Sequence, residues 1–362
     1  MSESNPNPFP PQPPFPPPQP PQFPQAYLPP QPPRRGKGLM IFAIVLLVLL
    51  LVSIAFNGLL VLAVGAVAMG EGGGLTGNPQ VKYAPIQHGG NDKVAILPIS
   101  GVIDEAQVAK VRLFGDAIIN DATIKAVVVE VDSPGGGITA ADEIHQEIQR
   151  IKAAKNGHLL VSMRGLAASG GYYVSMPASR IYAQPTSLVG SIGVIWPAFE
   201  MSGLLDKIGV TPEVITSDQA KYKDMGSPYR KFTPEDREYI RGLVNEAHKK
   251  FVDIVTDGRK GLLKVGMEQV AIGRIWSAQK ALDMGLVDEI AYLNKVIQDA
   301  ETDTGIGAGK ATVVRLEQKI SLFDSLQLQS QSPKITLSAN SIIELQPTKM
   351  EYRWVPPTAY GK

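Results

Sequence analysis

The chain has 362 residues, a formal net charge of +1, four histidines and no cysteine. That length fits one large domain with appendages or two modest ones, and the balanced charge gives no electrostatic case for nucleic acid. The missing cysteine excludes a thiol nucleophile, disulfides and cysteine-held metal, and His88, His145, His158 and His248 form no close pair, so neither a metal nor a cofactor is expected.

Residues 1–33 hold 16 of the 30 prolines, in runs such as "PPFPPPQPPQFP". Proline fixes φ and lacks a donor, so the stretch is expected to be a disordered arm. It reads either as a solvated spacer or as a ligand for a polyproline-binding partner. Arg34, Arg35 and Lys37 follow, and then no charge appears from Leu39 to Gly70. That apolar run exceeds the roughly 20 residues a bilayer requires. "AVA" at Ala66–Ala68 would suit a signal-peptidase cut, but secretory apolar regions run only about 7–15 residues. A retained anchor in membrane lipid is the favoured reading, with the arm cytoplasmic and the large domain outside it by the positive-inside bias. The segmentation expected is an arm with its basic flank over 1–37, a transmembrane helix over 38–69 and a flexible tether over 70–92. A catalytic domain over 93–302 and an extension over 303–362 complete it.

From Lys93 strands and helices alternate. "IKAVVVEVD" is almost continuously apolar and β-branched, as a buried parallel strand would be. "TAADEIHQEIQRIKAA" puts Ile144, Ile148 and Ile151 on one helical face, with His145 expected on a solvated side. "HLLVSMRG" is a second buried strand. "TPEDREYIRGLVNEAHKKFVDIV" is a helix with Thr233 as N-cap and Pro234 at its first position. "SAQKALDMGLVDEI" is a shorter helix ended by Gly285. Beyond residue 303 only "ATVVRL" and "PKITLS" look like strands. The order argues for an α/β fold with helices around a mostly parallel sheet.

Two stretches could carry chemistry. "VEVDSPGGGIT" reads as a strand ending at Asp132, a glycine turn, and a helix starting near Thr139. Such a turn either simply reverses the chain or offers backbone N–H groups to an anion. "RGLAASGGYYVSMPA" places Ser169 at the start of a helix after a strand, as an N-cap or as a nucleophile facing a strand-end crevice. A hydroxyl needs a base, and none of the four histidines is well placed. Lysine is the other route, and "KYKD" lies in a Gly/Pro-punctuated loop. It reads as solvated surface or as the site of a base whose pKa has fallen through desolvation. Asp224 would oppose that, unless an extended backbone sends Lys223 and Asp224 to opposite sides.

Together these stretches resemble the signal peptide peptidase A family of membrane-anchored Ser–Lys peptidases, peptidase family S49, in its short single-domain form. "ISGVI", "VDSPGG", "GLAASGGYYVS", "SLVGSIGVI", "KYKDMGSPYR" and "GRIWSAQKALDMGLVDEI" carry the resemblance in order over roughly residues 93–300. The resemblance implies a Clp protease/crotonase-like fold, Ser169 as nucleophile and Lys223, rather than Lys221, as base. Gly135 and Gly136 are the implied oxyanion donors, with Gly170 as a further one. It implies cleavage of hydrophobic peptides such as remnant signal peptides, and a homo-oligomeric ring whose sites are shared between neighbours. A crotonase-like acyl-CoA enzyme and a non-catalytic membrane scaffold recruiting partners through its arm are the alternatives.

Overall fold

The computed structural model describes residues 37–70, 81–319 and 351–353. Residues 1–36 of the expected arm, residues 71–80 of the tether and "PKITLS" lie outside them. The chain divides into two units, residues 1–76 and 77–362. In the first, α1 (Lys37–Gly70) contains the apolar window Met40–Leu59, 20 residues of mean hydropathy 2.9, none of them buried. At 1.5 Å per residue such a window is about 30 Å long, the thickness of a bilayer's hydrocarbon.

The second unit runs β1 (Val81–Gln87), β2 (Lys93–Ile103), α2 (Glu105–Asn120), β3 (Ile124–Gly137), α3 (Ile138–Ala154) and β4 (Leu159–Ala168). Then come α4 (Gly170–Tyr173), β5 (Arg180–Ala183), β6 (Leu188–Gly190), α5 (Ser202–Lys207) and α6 (Pro234–Gly258). It closes with α7 (Met267–Val270), β7 (Ile275–Ser277), α8 (Ala278–Met284), β8 (Glu289–Ile290), α9 (Leu293–Asp303), β9 (Thr312–Gln318) and β10 (Glu351–Arg353).

The strands form one sheet in the order β1-β9-β2-β3-β4-β5-β8. Every neighbour from β9 to β8 is parallel, and β1 alone on this path is antiparallel. The pleat explains why the central strands are apolar throughout. Ala95, Leu97, Ile99, Val127, Val129 and Val131 face one core with α2 and α3, whereas Val94, Ile96, Ala126 and Val128 face a second with α9. Ile144, Ile148 and Ile151 are all fully buried in the first core, as their spacing predicts.

Three expectations need correction. Val81–Gln87, placed above in the tether, is a strand paired to β9 and fastened by Gln87, which donates to the buried Glu301 at 3.1 Å. Thr312–Gln318, placed above in the extension, lies inside the main sheet beside β2. The glycines after Asp132 are not a turn. β3 continues through Gly137, and α3 begins at once at Ile138.

Candidate active site

Ser169 stands between the end of β4 and the single turn of α4, 1% exposed. β6 runs parallel to the end of β4, and the Ser169 N–H donates to the Gly190 carbonyl at 2.7 Å. Its own carbonyl accepts from Tyr173 N–H at 2.9 Å. The backbone between these anchors takes φ 55° and ψ −116°, a left-handed conformation that costs a non-glycine residue about 1–3 kcal/mol. The hydroxyl makes no capping bond to the helix, so the N-cap reading of Ser169 does not account for it. A serine on a sharp, strained strand-to-helix turn is instead the arrangement that presents a nucleophile.

The small residues around it are dictated by close backbone approach. Gly171 packs on Ser133, where a Cβ would lie 2.8 Å from the Ser133 carbonyl oxygen. Gly135 has φ 95°, and a Cβ there would overlap the Tyr352 carbonyl oxygen and sit 2.6 Å from Gly170 N. A Cβ on Gly170 would be 3.1 Å from that same carbonyl oxygen and 3.3 Å from Gly136 N. Gly135, Gly136, Gly170 and the Tyr352 carbonyl therefore converge beside Ser169. Gly135 N–H donates to Ser133 Oγ at 3.1 Å, and Ser133 Oγ donates onward to the Gly101 carbonyl at 2.6 Å. Of the three expected oxyanion donors, Gly135 is thus already committed, and its part is conformational.

The Tyr352 carbonyl arrives on a feature that sequence reasoning missed. β10 lies antiparallel to the glycine run, with Glu351, Tyr352 and Arg353 opposite Gly137, Gly136 and Gly135. On its other side Glu351 exchanges two backbone hydrogen bonds of 3.1 Å with Ile195. A three-residue segment of extended chain is thus held in a slot beside the serine. Tyr352 is fully buried there, stacked on Tyr173 at 5.1 Å and tilted against Phe251 at 4.7 Å, and its hydroxyl donates to the Ala247 carbonyl at 2.9 Å. The wall is braced from behind, because Tyr173 donates to Asp142 at 2.6 Å and Asp142 pairs with Lys250 at 2.8 Å. Only the aromatic pair in "GYYVS" hinted at this pocket. Nothing local marks residues 351–353 as the strand that fills it.

His145 is 3% exposed rather than solvated, edge-on to Tyr173 at 5.3 Å with Nδ1 unpartnered. Burial pushes it down to about 4, helped by Lys250 and opposed by Asp142. Among the described residues no histidine bonds to Ser169.

Lys223 is exposed, and among the described residues no hydrogen bond joins it to Ser169. It sits in consecutive turns closed by Lys223 N–H to Ala220, Met225 N–H to Tyr222 and Ser227 N–H to Asp224. The backbone is not extended, so strand alternation does not separate Lys223 from Asp224. Arg230 grips Asp224 with Nε and Nη2 at 2.7 and 3.0 Å. Lys221 lies over the Tyr222 ring at 4.5 Å, and its contact with Tyr222 favours the charged form.

Fold and site together define an α/β protein of the Clp protease/crotonase-like class, with a serine on a strained strand-to-helix turn. A family model described as "Peptidase family S49" matches residues 152–307, a range that includes Ser169 and Lys223 but not the glycines of β3. A protein of Enterococcus faecium named "Putative signal peptide peptidase SppA" is 32% identical over 69% of this chain and 74% of its own length. A Methanocaldococcus jannaschii protein named as a putative protease is 34% identical over 58% of this chain and 65% of its own. The Arabidopsis thaliana "Serine protease SPPA, chloroplastic" is 32% identical over 64% of this chain and 35% of its own. The chain belongs to peptidase family S49.

Proposed function

We propose that this peptidase is a membrane-anchored serine endopeptidase that cleaves hydrophobic peptides, remnant signal peptides among them, with Ser169 and Lys223 as its dyad. The observation that carries the reading is the slot. An extended chain pairs with Gly135–Gly137 and with Ile195, and its Tyr352 carbonyl lies against Gly170 beside the buried serine. A peptide bound by such strand addition takes its affinity from main-chain hydrogen bonds, and the pocket lined by Tyr173 and Phe251 selects an apolar or aromatic side chain.

Ser169 Oγ bonds to the carbonyl carbon while its proton passes to neutral Lys223 Nζ. Negative charge on the carbonyl oxygen is met by the N–H groups of Gly136 and Gly170. The C–N bond then breaks, the leaving amine takes the proton from Lys223, and water hydrolyses the ester by the same route.

The exposure of Lys223 fits a dyad completed between neighbouring copies in a ring. The segment carrying it also exposes Phe199, Leu204, Ile208, Val214 and Ile215, apolar surface that a second copy would cover. α1 would hold the protein in the bilayer, with the catalytic unit extracytoplasmic.

The test is hydrolysis of a hydrophobic peptide by the detergent-solubilised full chain and by Ser169→Ala and Lys223→Ala. Both variants should lose at least about a thousandfold in kcat/KM, as removal of a nucleophile or its base does. Activity surviving either change would sink the dyad.

A further inference from the structure

We infer that Arg230 is a positioning residue for the base: its guanidinium holds the Asp224 carboxylate away from Lys223 and fastens the lysine loop to the start of α6. The inference rests on the reading of Lys223 as the base.

A lysine can accept a proton only when neutral, and an opposite charge within about 4–6 Å favours the ammonium by roughly 1–3 pH units. Asp224 is the next residue, and the turn through 220–227 removes the alternation that would have kept the two apart. A free carboxylate at this position would therefore oppose catalysis. In the structure it is not free. Both oxygens of Asp224 are taken by Arg230, at 2.7 Å through Nε and 3.0 Å through Nη2, a two-pronged ion pair.

The same guanidinium reaches the Asp236 carboxylate through Nη1 and lies 3.4 Å from its other oxygen through Nη2. Asp236 is 2% exposed and immobile for a local reason. It closes the capping box of α6, accepting from Thr233 N–H at 3.0 Å while its own N–H donates to Thr233 Oγ1 at 3.1 Å. The Arg230 hydrogen bonds hold Asp236 down to about 2 and lower Asp224 as well. Both carboxylates thus stay charged and paired. The chain of contacts runs from the residue beside the base, through one guanidinium, to the rigid N-terminus of a 25-residue helix.

The remaining charged groups of this corner offer no substitute. Lys221 is engaged with the Tyr222 ring and feels Glu235, and Lys231 feels Glu200. Because Asp224, Arg230 and Asp236 belong to the chain that carries Lys223, the device works whether the serine it serves lies in the same copy or a neighbour.

The experiment is the pH profile of kcat and kcat/KM for a hydrophobic peptide, on detergent-solubilised full chain. In Arg230→Met the freed carboxylate should move the alkaline rise upward by about one pH unit, leaving activity about tenfold lower below the rise. Adding Asp224→Asn to that variant should bring the rise back. Arg230→Lys retains a cation for the buried Asp236 but not the fork, so it should shift the rise part of the way and serves if Arg230→Met fails to fold. An unmoved rise in Arg230→Lys or Arg230→Met, or a loss equal at all pH values that Asp224→Asn does not relieve, would overturn the inference. Lys223→Ala is measured alongside. If it keeps wild-type activity, the base assignment has failed; if it is inactive while the Arg230 profiles do not move, only the role of Arg230 has.

Discussion

The two halves of the proposed dyad are built in opposite ways. Around Ser169 the backbone is committed on every side. β6 holds its N–H, α4 its carbonyl, and Gly135, Gly170 and Gly171 pack so closely that no side chain would fit. Around Lys223 there are only turns, an exposed side chain and one ionic fastening through Arg230. A nucleophile and its anion-binding groups must be placed before the substrate arrives, and steric packing does this well. The proposed base, on an exposed loop, would be placed by charge, which tolerates movement.

The largest effect that can break this contrast is expected at Gly135. Gly135→Ala combines a positive φ with a Cβ driven into the strand slot and toward Gly170 N. It should lower kcat/KM by at least about a hundredfold, the scale of losing one oxyanion donor, or abolish folding. Gly261→Ala is the control, because Gly261 has φ 76° with nothing within 4 Å of its would-be Cβ. It should cost only the backbone term, about 1 kcal/mol of stability, with kcat/KM unchanged. Equal losses at the two glycines would mean that the slot is not sterically set.

A second effect separates the halves by pH. Burial holds the pKa of His145 down at about 4, below its ordinary 6.5. Its neutral form is favoured in the folded chain, so its contribution to stability is complete above the unfolded value. That contribution is lost as pH falls through the window from 6.5 towards 4, where the unfolded chain binds the proton first. The unfolding free energy from denaturant titration should therefore drop over that window by an amount on the order of 2–3 kcal/mol, and His145→Phe should flatten the drop. If the drop persists in His145→Phe, other groups cause it and the wall behind Tyr173 is not pH-sensitive. The alkaline rise ascribed to Lys223 should be unaffected by this change.

Much of the serine half was legible in the sequence because it obeys local rules. β-branched runs gave the buried strands of "IKAVVVEVD" and "HLLVSMRG", isoleucines at helical spacing gave the face of α3, and Thr233-Pro234 and Gly285 marked helix ends that the structure reproduces. What was not legible depends on pairing between distant residues. Val81–Gln87 and Thr312–Gln318 are strands because they pair with each other, and the second of them with β2, across more than two hundred residues. "SPGGG" looks like a turn, yet it remains strand because β2 and β10 flank it. His145 lies one residue from an apolar stripe, and only the placement of Tyr173 decides that it is buried. Arg230 carried no signal either. Its meaning appears only when the turn folds Asp224 back toward Asp236.

The smallest effect tests whether the lysine half really leans on α6. Thr233→Ala removes the hydroxyl that accepts from Asp236 N–H, one of the two bonds of the capping box. Loss of such a cap costs about 1 kcal/mol of stability. Asp236 keeps its contacts with Arg230 and Thr233 N–H, so the ionic fastening persists while its anchor loosens. If the loop takes its placement from that anchor, kcat should fall by about two- to fivefold, on the scale of a fraction of that 1 kcal/mol, with KM nearly constant. The alkaline rise should stay where it is, because Asp224 remains paired. A drop in stability with kcat untouched would show that ion pairing alone positions Lys223 and that the helix start is merely its neighbour. A shifted rise would show instead that loosening the cap also frees Asp224, which would make the capping box part of the device that holds this carboxylate.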